Sequence, residues 1–167
     1  MADERAARQL PREIRVRLVD VPRHLRALEY ALEQFENEDD FAEAARSKDP
    51  RQLAMVYAVE RPFELLDNYN VELTRLGLVE AGLRQVDDDA TAKSNFWLLA
   101  DGGVIPKTLA DRLIDVHELR NQLAHEYPDV RARQVHEAAH ALRAAVAPLY
   151  DALLKWLAKL GFAVPGA

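Results

Sequence analysis

The sequence predicts an all-α domain, an antiparallel helical bundle of about five helices, on three observations. Hydrophobic residues recur at four-three spacing over long stretches, as in Ile14, Leu18, Val21, Leu25, Leu28, Leu32 and Phe35. Only 6 glycines among 167 residues leave little material for the turns of a sheet. The stripes are also separated by helix punctuation: Asp49-Pro50, Gly102-Gly103, Pro106 and Pro128-Asp129.

The first helix is the stripe from Ile14 to Phe35. Pro22 lies inside it and predicts either a bend or a true start there with Asp20 as the cap. The alternation Ile14, Val16, Leu18 also fits a short strand, but the four-three stripe runs through it and on to Phe35. The acidic stretch after Phe35 reads as a loop that ends at Asp49-Pro50. A second helix begins where Asp49 can cap, Pro50 suits the first helical position and Gln52 completes a capping box. It runs toward Gly77 or Gly82, with a kink expected at Pro62. Asp87, Asp88 and Asp89 then break the pattern. They read as solvated loop, because carboxylates at successive loop positions do not by themselves form a cation cage. A short helix over residues 90 to 100 carries Phe96, Trp97, Leu98 and Leu99, aromatics and leucines expected in the core, and stops at Gly102-Gly103. Those glycines lack the Lys and Ser or Thr spacing of a phosphate loop. Pro106 opens the fourth helix. The last follows Pro128, with the stripe Val135, Ala139, Leu142, Val146, Leu149, Leu153, Trp156 and Leu160 and a bend expected at Pro148. With no internal repeat and no linker, residues 1–167 read as one domain with its core from about 12 to 160.

Composition removes several functional classes. The chain has no Cys, hence no disulfide framework, thiol nucleophile or thiolate zinc site. No stretch reaches the apolar length of a membrane span, and the N-terminal segment lacks the apolar core of a signal peptide. A soluble, cytoplasmic protein is expected. A net charge of −6 argues against a general nucleic-acid coat, which needs clustered Lys and Arg. The charge is uneven: Arg5, Arg8, Arg12, Arg15, Arg17, Arg23 and Arg26 precede an acidic block from Glu29 to Glu43. Solvated helix faces of opposite sign account for both.

The stretch LRNQLAHEYP at 119–128 departs from this pattern. The stripe of the fourth helix is Leu109, Leu113, Val116, Arg120, Leu123 and Tyr127, so Arg120 occupies a core-type position. An unpaired buried guanidinium is costly, so Arg120 must meet an anion, face another subunit or stand at the mouth of a cleft. The plainer account packs its long stem while the head snorkels to water or pairs with a carboxylate such as Asp67 or Glu118. Asn121 and His125 are four apart and share a face, about 100° from the line of Arg120. Pro128 places His125 in the last turn, where free carbonyls favour the imidazolium. His117 and His125 lie two turns apart, too far to share one metal ion, and no metal site is expected. Arg supplies a fixed fork for phosphate oxygens and His moves a proton near neutral pH. Together they suit cleavage of RNA, whose own 2′-hydroxyl attacks the phosphate.

The arrangement R-x4-H-x-Y, present as Arg120, His125 and Tyr127 within RNQLAHEY, resembles the signature of HEPN-domain toxins of the HepT type. The stretch NFWLLADGGVIPKTLADRLIDVHELRNQLAHEYPDV resembles the same family from its third helix through the motif, and Asp67 in FELLDNYN falls where the family often has an acidic residue. The likeness extends over most of residues 14 to 160. It implies a metal-independent endoribonuclease without cofactor, acting as a homodimer whose two motifs face one cleft. Arg120 would bind phosphate, His125 would act as general acid or base, Asn121 would orient them and Asp67 would support the site. With Arg120 and His125 about 140° apart on one helix, a two-fold axis can gather both residue types around one phosphate. The resemblance also implies a nucleotidyltransferase antitoxin that transfers AMP to Tyr127. Arg131, Arg133, His136, His140 and Arg143 could add a basic rim. The alternative is a non-catalytic HEPN dimerisation or binding module that partners a nucleotidyltransferase.

Overall fold

The computed structural model describes residues 7–123 and 128–166. Six helices follow in order: α1 (Arg12–Leu32), α2 (Glu38–Arg46), α3 (Pro50–Glu80), α4 (Ala92–Asp101), α5 (Lys107–Gln122) and α6 (Pro128–Lys159). Two short strands, β1 (Arg8–Gln9) and β2 (Phe162–Ala163), pair in parallel at the two ends of the chain. Among the described residues no helix is long and apolar enough to cross a membrane.

The helix that the sequence reading took for a loop is α2. Its acidic residues are not a solvated linker but a first turn. The Asn37 side chain accepts from the backbone N–H groups of Asp39 and Asp40 at 2.9 and 3.1 Å, and Glu38, Asp39 and Asp40 complement the positive end of the helix dipole. Phe41, Ala42 and Ala44 are its buried face. The Phe41 ring meets Phe35 edge-on at 4.9 Å and the His136 ring at 5.4 Å, fastening α2 to the end of α1 and to α6. Burial holds the pKa of His136 below its ordinary value, with neighbouring His140 adding to the effect and Glu38 opposing it.

α1 runs unbroken through Pro22, so residues 14–18 are helix rather than strand. Proline has no N–H, and the carbonyl four residues earlier, that of Leu18, loses its helical partner. Tyr150 of α6 replaces it: its hydroxyl donates to the Leu18 carbonyl at 2.8 Å. Burial, then the Asp151 charge, raises the pKa of Tyr150 and keeps the phenol a donor. Tyr150→Phe is therefore expected to cost about 1–3 kcal/mol, the cost of a buried acceptor left unmade. Urea unfolding checks this, and an unchanged midpoint would mean that another group takes over the carbonyl.

α3 is the central helix and buries two faces. Val56, Val59, Phe63, Leu66, Leu73 and Leu78 are apolar, whereas Asp67, Asn70, Thr74 and Gly77 bring a line of polar or small residues into the interior. Asp49 caps it by accepting from Arg51 N–H at 2.9 Å. At Gly77 α6 comes so close that a Cβ would lie 2.9 Å from the Trp156 ring. Gly82, at φ 72°, ends the helix: its N–H reaches Val79 O and that of Leu83 reaches Leu78 O, each at 2.9 Å. Gly103 ends α4 in the same way, with bonds to Ala100 O and from Val104 to Leu99 O. On α4 the aromatics divide. Phe96 is buried, but Trp97 is 45% exposed, with the Lys93 and Lys107 ammonium groups each 5.9 Å from its ring, so it is not the core residue expected.

Candidate active site

The site lies where α5 packs beside α3 and α6. α5 starts after Pro106 and buries Leu109, Ala110, Leu113, Ile114 and Val116, which fixes its rotation. His117, Arg120 and Asn121 follow in its last turns, where the helix is only partly buried.

Three hydrogen bonds link these residues to the interior. Asp67, 2% exposed, meets His117 through Oδ2 and Nδ1 at 2.9 Å. The His117 Nε2 meets Asn121 Nδ2 at 3.2 Å, and the Asn121 Oδ1 accepts from Arg120 Nη1 at 3.1 Å. A buried carboxylate on α3 is thus connected, through one imidazole and one carboxamide, to a guanidinium at the surface.

That guanidinium stands on a cleft of about 250 Å³ lined by Glu60, Phe63, Glu64, Arg120, Asn121, Leu123, Arg131 and Val135. Burial raises the pKa of Glu60, against the pull of Arg131 and with the added push of Glu64. The cleft therefore holds two guanidinium groups beside a carboxyl that protonates more readily than usual. Among the described residues no cluster of three or more His, Asp or Glu could hold a metal ion.

Arg120 lines the cleft, one of the three placements that its core-type position allows, and its described partner is Asn121 rather than Asp67 or Glu118. The described partner of Asp67 is His117, and that of Glu118 is Lys93 at 3.3 Å. Asn121 and Asp67 join the same chain of bonds. His125 and Tyr127 lie outside the described residues, and α5 is described as helix only to Gln122. Of the expected basic rim, Arg131 reaches the cleft. Arg133 is instead tied to Asp39 at 2.8 Å, and His136 is buried with its Nε2 3.3 Å from that of His140.

The residue that the sequence reading passed over is His117. Its signal was present: His117, Asn121 and His125 are successive members of one i, i+4 line. On sequence alone it suggests only a metal ligand, because nothing in the local sequence points to a carboxylate 50 residues earlier.

Comparisons with curated proteins and with solved structures return no match. Residues 25–151 match a family model described as Ribonuclease HepT-like. That span contains α2 to α5, the C-terminal part of α1, most of α6, and all the residues of the bonded chain on the cleft. An all-α bundle with an R-x4-H-x-Y segment that begins in its fifth helix, matched over most of its length, belongs to the ribonuclease HepT-like, HEPN-type family.

Proposed function

We propose that this chain is the toxin of a toxin-antitoxin pair, a metal-independent endoribonuclease that works as a homodimer. The observation that carries the reading is the position of Arg120: a guanidinium from an apolar stripe, set on a cleft and held there by Asn121. A planar fork with unspent N–H groups suits a phosphate that gains charge during reaction. Arg131 adds a second cation in the same cleft. Arg120 binds the scissile phosphate, Asn121 orients it, and His125 takes the 2′-hydroxyl proton or delivers one to the leaving 5′-oxygen. The 2′-oxygen forms the new bond to phosphorus, the bond to the 5′-oxygen breaks, and a 2′,3′-cyclic phosphate remains. No metal or cofactor enters this scheme.

The regulation follows from the same charges. A nucleotidyltransferase antitoxin that places AMP on Tyr127 would bring an anionic group beside Arg120 and occupy the place of substrate. One observation favours a second reading, a binding module without cleavage: Glu60 and Glu64 line the cleft and oppose a polyanion. The raised pKa of Glu60 lessens that opposition.

The test is incubation of purified protein with total RNA in excess EDTA, wild type beside His125→Ala, with analysis of the new 3′ ends. Cleavage that survives chelation, leaves cyclic phosphate and disappears in His125→Ala is expected. Intact RNA from a folded dimer would favour the binding module.

A further inference from the structure

The chain of bonds from Asp67 to Arg120 has only one consistent direction. A guanidinium has donors and no acceptor, and an ionised carboxylate has acceptors and no donor. With these at the two ends, every group between them is fixed. Asn121 must turn its carbonyl to Arg120 and its NH₂ to His117. His117 must then accept at Nε2 and donate from Nδ1 to Asp67. The imidazole is therefore required in one form, the neutral Nδ1–H tautomer. An imidazolium would set its Nε2–H against the Asn121 NH₂, and the carboxamide could relieve the conflict only by turning its carbonyl away from Arg120.

We infer that His117 is a positioning residue of this cleft: it transmits the direction of the buried Asp67 carboxylate to the Asn121 carboxamide, and so holds the Arg120 guanidinium in place. His117 does not itself line the cleft, and it acts through Asn121, which does. Its side chain is 21% exposed against 3% for Asp67, so the interior end of the chain is the rigid one. Carboxylates that orient an imidazole in this way commonly fix its tautomer. Here the imidazole in turn fixes an amide.

The activity arm of the test rests on the ribonuclease reading, and the spectroscopic arm does not. Removing His117 alone would leave the Asp67 carboxylate buried without its partner and endanger folding. The informative variant is therefore Asp67→Leu/His117→Leu, which removes both polar groups together. It is expected to keep a cooperative thermal transition while lowering kcat about 10–100-fold, the scale of a misplaced catalytic group. In an Asn121→Ala background the same pair of substitutions should have no further effect, because the path to Arg120 is already cut. His117→Gln should restore most of the rate, since a carboxamide can donate to Asp67 and accept from Asn121 at once. Multiplying effects in the Asn121→Ala background, or a wild-type kcat in the double variant, would overturn the inference. Independently, the imidazole ¹⁵N shifts of wild type should report a protonated Nδ1 and an unprotonated Nε2 on His117. The opposite tautomer or an imidazolium at the assay pH would overturn it as well. If wild type cuts no RNA, the ribonuclease reading fails and the nitrogen spectrum still decides the role of His117.

Discussion

Arg120→Ala is expected to reduce RNA cleavage about 10²–10³-fold, the loss that follows removal of one preorganised donor to a developing oxyanion. The fold should hardly register the change. Arg120 is partly exposed and its described bond is to a neighbouring side chain, so stability should move by less than about 1 kcal/mol, mostly from lost packing of its stem. The combination decides between roles. A structural Arg would lower the melting temperature and affect cleavage only through unfolding, whereas a phosphate-binding Arg changes the rate in a protein that melts as before. Arg120→Lys should fall between, because an ammonium restores charge without the planar fork. Cleavage rates set beside thermal melts of the three proteins make the measurement.

The largest expected effect on stability is at Phe41. This ring, fully buried, lies between Phe35 and His136 and is the main apolar anchor of α2. Phe41→Ala should cost about 3–5 kcal/mol, the range for emptying a buried aromatic site. That is a large part of the stability of an ordinary domain, so the variant should unfold at clearly lower urea. The substitution should also change the response to acid. In the intact fold the pKa of His136 is held below its unfolded value, mainly by burial. The unfolded chain therefore binds the proton first as pH falls. The stability attached to this group is complete above the unfolded pKa and drains away as pH falls toward the folded one. Opening the site to water weakens that burial, so the stability of Phe41→Ala should depend less on pH below about 6.5. Urea titrations of both proteins at pH 7.5 and at pH 5.5 test the two effects together, and an equal loss at both pH values would mean that Phe41 does not shelter His136.

The legible parts of the fold were those in which local pattern and tertiary demand coincide. Ile14 to Phe35, the helix from Pro50 toward Gly77 or Gly82 and the stripe from Val135 to Leu160 could be read because burial against a neighbour imposes the helical period on the sequence. The glycines after α3 and α4 were legible because a positive φ excludes most other residues. α2 was hidden by its charges. Three acids in a row suggest a loop until Asn37 is recognised as their cap, and its buried face is made mostly of alanines. The β1–β2 pair leaves no periodic trace, since two residues cannot alternate.

The site divides along the same line. Arg120 announced itself, because a charge in an apolar stripe demands an explanation within its own helix. Asn121 followed from the helical face that its spacing shares with His125. The Asp67–His117 bond did not, because it joins residues 50 apart and neither residue is unusual where it stands. The acidic residue was picked out by resemblance, but its partner was expected to be an Arg. Only the packing of α5 beside α3 shows that an imidazole comes between them.

The parallel clasp of Arg8–Gln9 with Phe162–Ala163 has a topological meaning. It brings the first and last described elements side by side, and the Arg8 guanidinium lies 4.3 Å from the centre of the Phe162 ring. The bundle is in this sense a nearly closed ring. A connector from residue 163 back to residue 8 has only to reverse direction over a two-residue strand, about 7 Å. Cut instead between α3 and α4, the same ring would be made with its segments in a different order. Asp67 would then be synthesised after His117, yet each would meet the same neighbour, so the site depends on the adjacency of helices and not on the sequence in which they are written.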